Sequence, residues 1–221
     1  MLFMTTVEFI GSGNIGSTVA RLAIAGGYDV VMSNSRGPEA LADLVADLGP
    51  HARAATATGA AEAGDLIVVS IPVKAIGAVP VAPLAGKTVM DTGNYYPQRD
   101  GAIAELDDDS ASSSELLARH LGDAHVVKVF NNIFFKHLAA LARPTGSDRS
   151  ALAIAGNDPA AKAAVTAFLD AIGYDAVDAG PLDAGRSFQP GTAAYGGMYG
   201  EFSNEAGTPA NSDVIRAVLS K

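Results

Sequence analysis

A chain of 221 residues, 48% apolar and 18% charged, is long enough to bury a substantial core and has the composition of a globular enzyme. Its formal net charge of −9 disfavours a nucleic-acid partner, and a cysteine count of 0 excludes disulfides, thiolate metal sites and a cysteine nucleophile. No apolar run approaches the roughly 20 residues of a membrane span, and Met1-Leu2-Phe3-Met4 lacks the basic and apolar regions of a signal peptide, so a cytoplasmic protein with no membrane partner is expected.

Strand and helix signals alternate along most of the chain. Thr6–Ile10 is a short apolar strand, and Ile15, Val19, Leu22 and Ala23 follow at helical spacing up to Gly26-Gly27. Val30–Ser33 reads as the second strand. Pro38 opens a helix whose buried face is Leu41, Leu44, Val45 and Leu48, and Gly49-Pro50 stops it. Arg53–Thr56 is a third strand, followed by a short alanine-rich helix. Leu66–Ile71 is a continuous apolar run of the kind buried on both faces of a parallel sheet, and Pro72 ends it.

Lys87–Asp91 and Val126–Phe130 are the fifth and sixth strands. Between them the sequence reads as a long loop through Asn94–Pro97 and Asp107–Asp109, with a helix restarting near Ser112 and Glu115 completing a capping box. Leu152–Ala155 is a further strand, Asp158-Pro159 caps a helix running to Ile172, and Asp175–Val177 is the last strand. Beyond Ala179 the chain is glycine-rich and irregular to Thr208, with a terminal helix over Asn211–Leu219. The expected fold is α/β, a Rossmann-type doubly wound, mostly parallel sheet with helices on both faces. Residues 1–180 would form one Rossmann domain with a C-terminal strand extension, and 181–221 an irregular tail and short helix packing on that same domain.

The stretch Gly11-Ser12-Gly13-Asn14-Ile15-Gly16 lies between the first strand and the first helix, which is the context of a dinucleotide fingerprint. Gly11 makes the turn, Gly13 lets backbone approach a pyrophosphate, Gly16 lets the helix pack closely, and the helix N-terminus faces the phosphates. About twenty residues on, an NAD-binding chain carries a carboxylate for the ribose hydroxyls. This chain carries Ser33-Asn34-Ser35-Arg36 instead, and Asp29 comes too early for that role. Two hydroxyls, an amide and a guanidinium suit a 2′-phosphate, so NADP is the expected cofactor.

The carboxyl ends of the later strands should border the nicotinamide: Ser70-Ile71-Pro72 and Thr92-Gly93 as cofactor contacts, Asn94, Tyr95, Tyr96, Asn131 and Asn132 as pocket candidates, and His137 on the following helix as an acid, base or anion contact. Lys128 and Asn131 share the Lys-x-x-Asn spacing of β-hydroxyacid dehydrogenases, but Lys128 falls inside a strand and is expected to point away from the rim. No carboxylate pair, histidine cluster or Ser/His arrangement points to hydrolysis or a metal, so no catalytic residue is assigned.

With Gly11–Gly16, Ser33–Arg36, Ile71-Pro72, Asp91–Gly101, Val129–Ile133 and Asp178–Leu182 in view, residues 6–190 resemble the coenzyme F420-dependent NADP reductase family, in an actinobacterial-type branch. The resemblance implies hydride transfer between NADPH and a deazaflavin co-substrate, F420, stacked over the nicotinamide, and a homodimer. Such a step needs proximity more than a strong acid or base. Arg186, Lys136 and Arg143 are the basic residues available for the deazaflavin's anionic tail. The chain departs from the family over Phe188–Gly207, glycine-rich and polar where the family continues as an apolar helix. Two other readings stay open: an NADPH-dependent reductase of another flavin, an imine or a carbonyl, and a non-catalytic NADPH-binding sensor. If Arg36 reads the 2′-phosphate, Arg36→Ala should weaken NADPH by about 1–3 kcal/mol and leave NADH nearly unchanged in parallel binding titrations.

Overall fold

The computed structural model describes residues 5–146 and 148–221, so Met1–Met4 lies outside the described residues. Eight strands form one sheet in the order β3-β2-β1-β4-β5-β6-β7-β8. These are β1 (Thr6–Ile10), β2 (Asp29–Ser33), β3 (Ala52–Ala54), β4 (Leu66–Val69), β5 (Thr88–Asp91), β6 (His125–Lys128), β7 (Ala151–Gly156) and β8 (Asp175–Asp178). All neighbours run parallel except β6 and β7. The strand order reverses between β1 and β4, which is where a doubly wound sheet leaves a crevice at its carboxyl edge.

The helices are α1 (Asn14–Ala25), α2 (Ala42–Leu48), α3 (Ala57–Ala61), α4 (Pro97–Asp100), α5 (Ala104–Asp107), α6 (Ser113–Leu121), α7 (Phe135–Ala140), α8 (Pro159–Ala171) and α9 (Ser212–Leu219). Their ends follow local chemistry. Ser112 and Glu115 form the expected capping box on α6, and Asp158 caps α8 through the Ala161 amide at 2.7 Å. Strand alternation divides the core in two. Val7, Phe9, Val30, Met32 and Val68 face α1 and α8, while Ile10, Ile67, Val69 and Val89 face α6 and the 3₁₀ turns after β4.

Five stretches differ from their sequence reading. β4 stops at Val69 rather than Ile71, because β1 ends at Ile10 and Gly11 then turns across the strand end; the Ser70 amide still reaches the Ile10 carbonyl. β6 stops at Lys128 rather than Phe130, because Phe130 takes φ 64° and turns the chain off the sheet. The third strand is Ala52–Ala54, set by pairing with Val30–Met32. The connection after β5 holds the two single-turn helices α4 and α5. In the tail, 3₁₀ turns occupy Leu182–Phe188 and Gly197–Tyr199.

Register sets the binding edge. Pairing places Ser33, Ile10, Val69, Asp91 and Lys128 in one row across five strands, so the residues that follow each of them emerge together at the carboxyl edge. The tail is tied back to the sheet: the Tyr199 hydroxyl donates to the Ala151 carbonyl at 2.7 Å, and the Ala151 amide donates to Ala210.

A carboxyl side chain sits in the core with neither oxygen hydrogen-bonded. Glu8 is fully buried in the middle of β1 and neither carboxyl oxygen is bonded. Burial pushes its carboxyl up to about 7, against the opposing pull of Lys87. At low pH folded and unfolded chains both hold this proton. As pH rises from about 4.5 to about 7 only the unfolded chain releases it, so stability falls across that window and the loss is complete above it. Glu8→Gln should therefore be more stable than the native chain at about pH 8 by ~2–3 kcal/mol and equal to it at about pH 4, as read by denaturant unfolding.

Candidate functional site

The carboxyl edge carries two cavities, of about 460 and 400 Å3, that share Gly13, Ser70, Ile71 and Pro72. Together they form one groove over the β1–β4 switch point. Gly11 creates the crossing. Its φ is +114°, and a Cβ there would lie 2.1 Å from the Ser70 carbonyl oxygen. Gly16 is the counterpart inside α1, where a Cβ would meet the Gly11 carbonyl oxygen at 2.4 Å. It faces neither cavity and serves packing. Gly13 is the N-cap of α1, with open space around its Cβ position and no side chain capping the helix. Open space before uncapped helix amides fits a pyrophosphate.

The β2-side cavity is lined by Gly11, Ser12, Gly13, Ser33, Asn34, Ser35 and Arg36, with Ala75, Ala78 and Val79 opposite. Asn34 organises this turn: its amide nitrogen donates to Ser12 Oγ at 3.3 Å and its Oδ1 accepts the Arg36 amide at 2.9 Å. Ser33 is buried and its hydroxyl donates to the Phe9 carbonyl at 2.8 Å. That hydroxyl is thus committed inward, which leaves Ser35 and Arg36 as the exposed polar groups of the run.

The β5-side cavity takes Asn14, Ile15, Thr92, Gly93, Asn94, Tyr96, Asn131 and Asn132 from the sequence-predicted set. Phe130 in its left-handed conformation turns Asn131 and Asn132 into it. Each asparagine uses its amide nitrogen to hold the tail, Asn131 on the Phe188 carbonyl and Asn132 on the Ala194 carbonyl, both at 2.9 Å. Both Oδ1 atoms are buried with no hydrogen-bond partner. Asn94 closes the loop, donating to the Asn131 carbonyl at 2.7 Å.

Tyr95 and His137 lie elsewhere. The Tyr95 hydroxyl donates to Asp107 at 2.6 Å and accepts the Ile103 amide, so the ring braces α5 on the outer side of the loop. His137 is fully buried beneath the tail, with Nε2 2.8 Å from the Asn204 carbonyl. Lys128 lines neither cavity but sits directly behind the rim. Its Nζ donates to the Gly93 carbonyl at 3.0 Å and to Ser113 and Ser114, while Asp91 accepts the Gly93 amide at 2.8 Å. The Gly93 residue is therefore gripped from both of its peptide groups. Burial lowers the Lys128 ammonium, and Asp91 opposes that fall.

The three basic residues proposed for an anionic tail are engaged elsewhere: Arg186 pairs with Glu115 at 2.7 Å, Lys136 pairs with Glu205, and Arg143 donates to the Ala140 and Ala142 carbonyls. Arg99 lines the cavity instead. Sequence reading also missed Phe134, Phe135, Tyr195, Gly196 and Phe202 on the cavity wall. The two phenylalanines follow Asn132 at a strand's carboxyl end, which is a usable signal. Tyr195 and Phe202 lie in a glycine-rich stretch without periodicity and offered none.

Among the described residues no cluster of acidic or histidine side chains could hold a metal, and no helix is long and apolar enough to cross a membrane. Residues 6–95 match the family described as NADP oxidoreductase, coenzyme F420-dependent. The structure is similar to that of a hypothetical protein from Sinorhizobium meliloti, with a TM-score of 0.74, 29% identity and coverage of 85% of this chain and 91% of that one. It is also similar to a protein from Arthrobacter sp. FB24 described as an F420-dependent NADP-reductase, with a TM-score of 0.71, 26% identity and coverage of 82% and 87%. An imine reductase from Pseudomonas sp. shares the fold at a TM-score of 0.57 and 21% identity, over 81% of this chain and 56% of that one. No curated protein sequence matches the chain. The chain shares a Rossmann-type doubly wound fold with these proteins.

The two glycines make separable claims. Gly11→Ala should cost more than about 2 kcal/mol, because the added methyl collides with the Ser70 backbone just beyond β4. Gly13→Ala, with φ −74° and free space, should unfold like the native chain yet bind NADPH at least ~10-fold more weakly. Thermal unfolding and NADPH fluorescence titration of both variants check the pair.

Proposed function

We propose that this chain, a member of the NADP-reductase-like fold group, moves hydride between NADPH and the deazaflavin coenzyme F420. The observation that carries the reading is the continuity of the two cavities at Gly13 and Ser70–Pro72. A dinucleotide laid along that groove has its phosphates at α1 and its far end in an aromatic-walled chamber. When bound, NADPH supplies a hydride there.

The chain's own residues bind, orient and shield. Ser35 and Arg36 offer the exposed donors for a 2′-phosphate, and the α1 amides with Gly13 receive the pyrophosphate. Ile71 and Pro72 form an apolar floor shared by both cavities. Asn131 and Asn132 place two amide side chains on the same wall. Tyr96, Phe134 and Phe202 supply flat apolar surface opposite, which suits a planar ring. Stacking a planar acceptor there also excludes water from the transfer path.

Purified protein should oxidise NADPH in the presence of F420, with loss of the deazaflavin absorbance. Tight NADPH binding with no F420 turnover would defeat this reading. Turnover of free flavin, an imine or a carbonyl in its place would establish a different reductase, and binding with no acceptor at all would leave a sensor.

A further inference from the structure

Two phenol hydroxyls meet inside the β5-side cavity. Tyr96 enters from the loop after β5 and Tyr195 from the tail, and their oxygens are in hydrogen-bonding contact. Each is fixed from behind. The Tyr96 amide donates to Asp100 Oδ2 at 3.0 Å, and the Arg99 guanidinium lies 4.9 Å from the centre of the Tyr96 ring. Arg99 is itself held by the Asn94 carbonyl at 2.6 Å and by Asp100. On the tail side, the Tyr195 amide donates to the Thr192 carbonyl, and Asn132 grips the preceding residue, Ala194.

Either phenol can donate in the shared hydrogen bond, and the groups around it set its electrostatics. Burial pushes the Tyr195 phenol above its ordinary range and its bond to Tyr96 adds to the rise, while Arg99 acts against both. Asp100 is buried, which raises its carboxyl, but hydrogen bonds from Arg99 and from the Tyr96 and Lys74 amides hold it below the ordinary value. It therefore stays a carboxylate and takes no part as an acid. When Tyr195 donates to Tyr96, the Tyr96 O–H is left for the cavity. The other polar side chains on the wall are the Ser70 and Thr92 hydroxyls, four asparagine amides and Arg99, none of which yields a proton readily near neutrality.

We propose that Tyr96 is the catalytic acid for reduction of an acceptor bound in this cavity, with Tyr195 as its proton relay and Arg99 as the cation beside the phenolate. The proposal rests on the hydride-transfer reading above. The acceptor class is an unsaturated unit ending in a basic nitrogen, either C=N or the conjugated C=C–C=N of a deazaflavin. Hydride from NADPH forms the new C–H bond, and the nicotinamide is oxidised as the acceptor is reduced. The electron pair displaced onto nitrogen takes the Tyr96 proton, so an O–H bond breaks as an N–H bond forms. Tyr96 recovers a proton from Tyr195 along the existing hydrogen bond. Tyr195, half-exposed, recovers one from water, so the cycle consumes one NADPH and one solvent proton per acceptor.

Tyr96→Phe and Tyr195→Phe both keep the aromatic ring, so the cavity wall and the Arg99 platform survive. With NADPH and either F420 or 1-pyrroline as acceptor, Tyr96→Phe should lose at least about 100-fold in kcat, with the KM for NADPH held within about threefold. Tyr195→Phe should lose about tenfold, since Tyr96 keeps its own proton and must refill more slowly. A readout independent of turnover is the ultraviolet titration of tyrosinate in the ligand-free protein. There Tyr96→Phe should bring the Tyr195 ionisation down, because one raising interaction is removed. A Tyr96→Phe variant that turns over at the native rate overturns the acid while leaving the reductase intact. A Tyr195 ionisation unmoved by Tyr96→Phe overturns the relay, and with it the proposal. Native protein that reduces neither acceptor overturns the hydride-transfer reading itself, and the acid falls with it.

Discussion

The binding edge depends on how closely Gly11 passes the end of β4. A single methyl at that position would stand 2.1 Å from the Ser70 carbonyl oxygen, well inside any permissible contact. Because Gly11 is bare, β1 can turn immediately into α1. Because Gly16 is also bare, α1 can begin against that turn. The consequence is a helix N-terminus pointed along the crevice between β1 and β4, with Gly13 open in front of it. Shared register then brings the ends of β2, β5 and β6 to the same edge. The continuous groove along this edge is the geometric result of two missing methyl groups and one row of pairings.

The far end of the groove is built differently, by polar grips rather than by close backbone packing. Lys128 and Asp91 hold the two peptide groups of Gly93 from behind, and Ser113 and Ser114 complete that buried network. Asn131 and Asn132 hold the tail through Phe188 and Ala194, which brings Tyr195 and Phe202 to the cavity wall. Apart from the local Asp91–Gly93 bond, these contacts link residues distant in the chain. The glycine-rich tail is tied down both by the carbonyls it offers to side chains at the sheet edge and by Phe188, Ala194 and Tyr199, which enter the core.

This division explains what could be read from the sequence. The first β-α-β unit is legible almost to the residue, since glycine placement, helical spacing and β-branched runs are local signals. So are the capping box at Ser112 and the Asp158 cap. The ends of β4 and β6 are not, because they depend on where a neighbouring strand stops and on Phe130 adopting a left-handed backbone that few phenylalanines take. Of the pocket candidates, Asn94, Tyr96, Asn131 and Asn132 lie on the cavity and Tyr95 and His137 do not. Adjacent residues such as Tyr95 and Tyr96 point to opposite sides of one loop, and no spacing rule distinguishes them. Lys128 shows the same limit: its place inside a strand correctly keeps it out of the cavity, yet only the folded chain shows it bracing the rim.

The central claim is that one continuous groove receives NADPH from Arg36 to Tyr96. A crystal structure of the protein with NADPH tests it most directly. The account predicts the 2′-phosphate at Ser35 and Arg36, the pyrophosphate against Gly13 and the α1 amides, and the nicotinamide beside Ile71-Pro72 within reach of Asn131 and Tyr96. A dinucleotide bound in the opposite sense, or bound outside the groove, would contradict it.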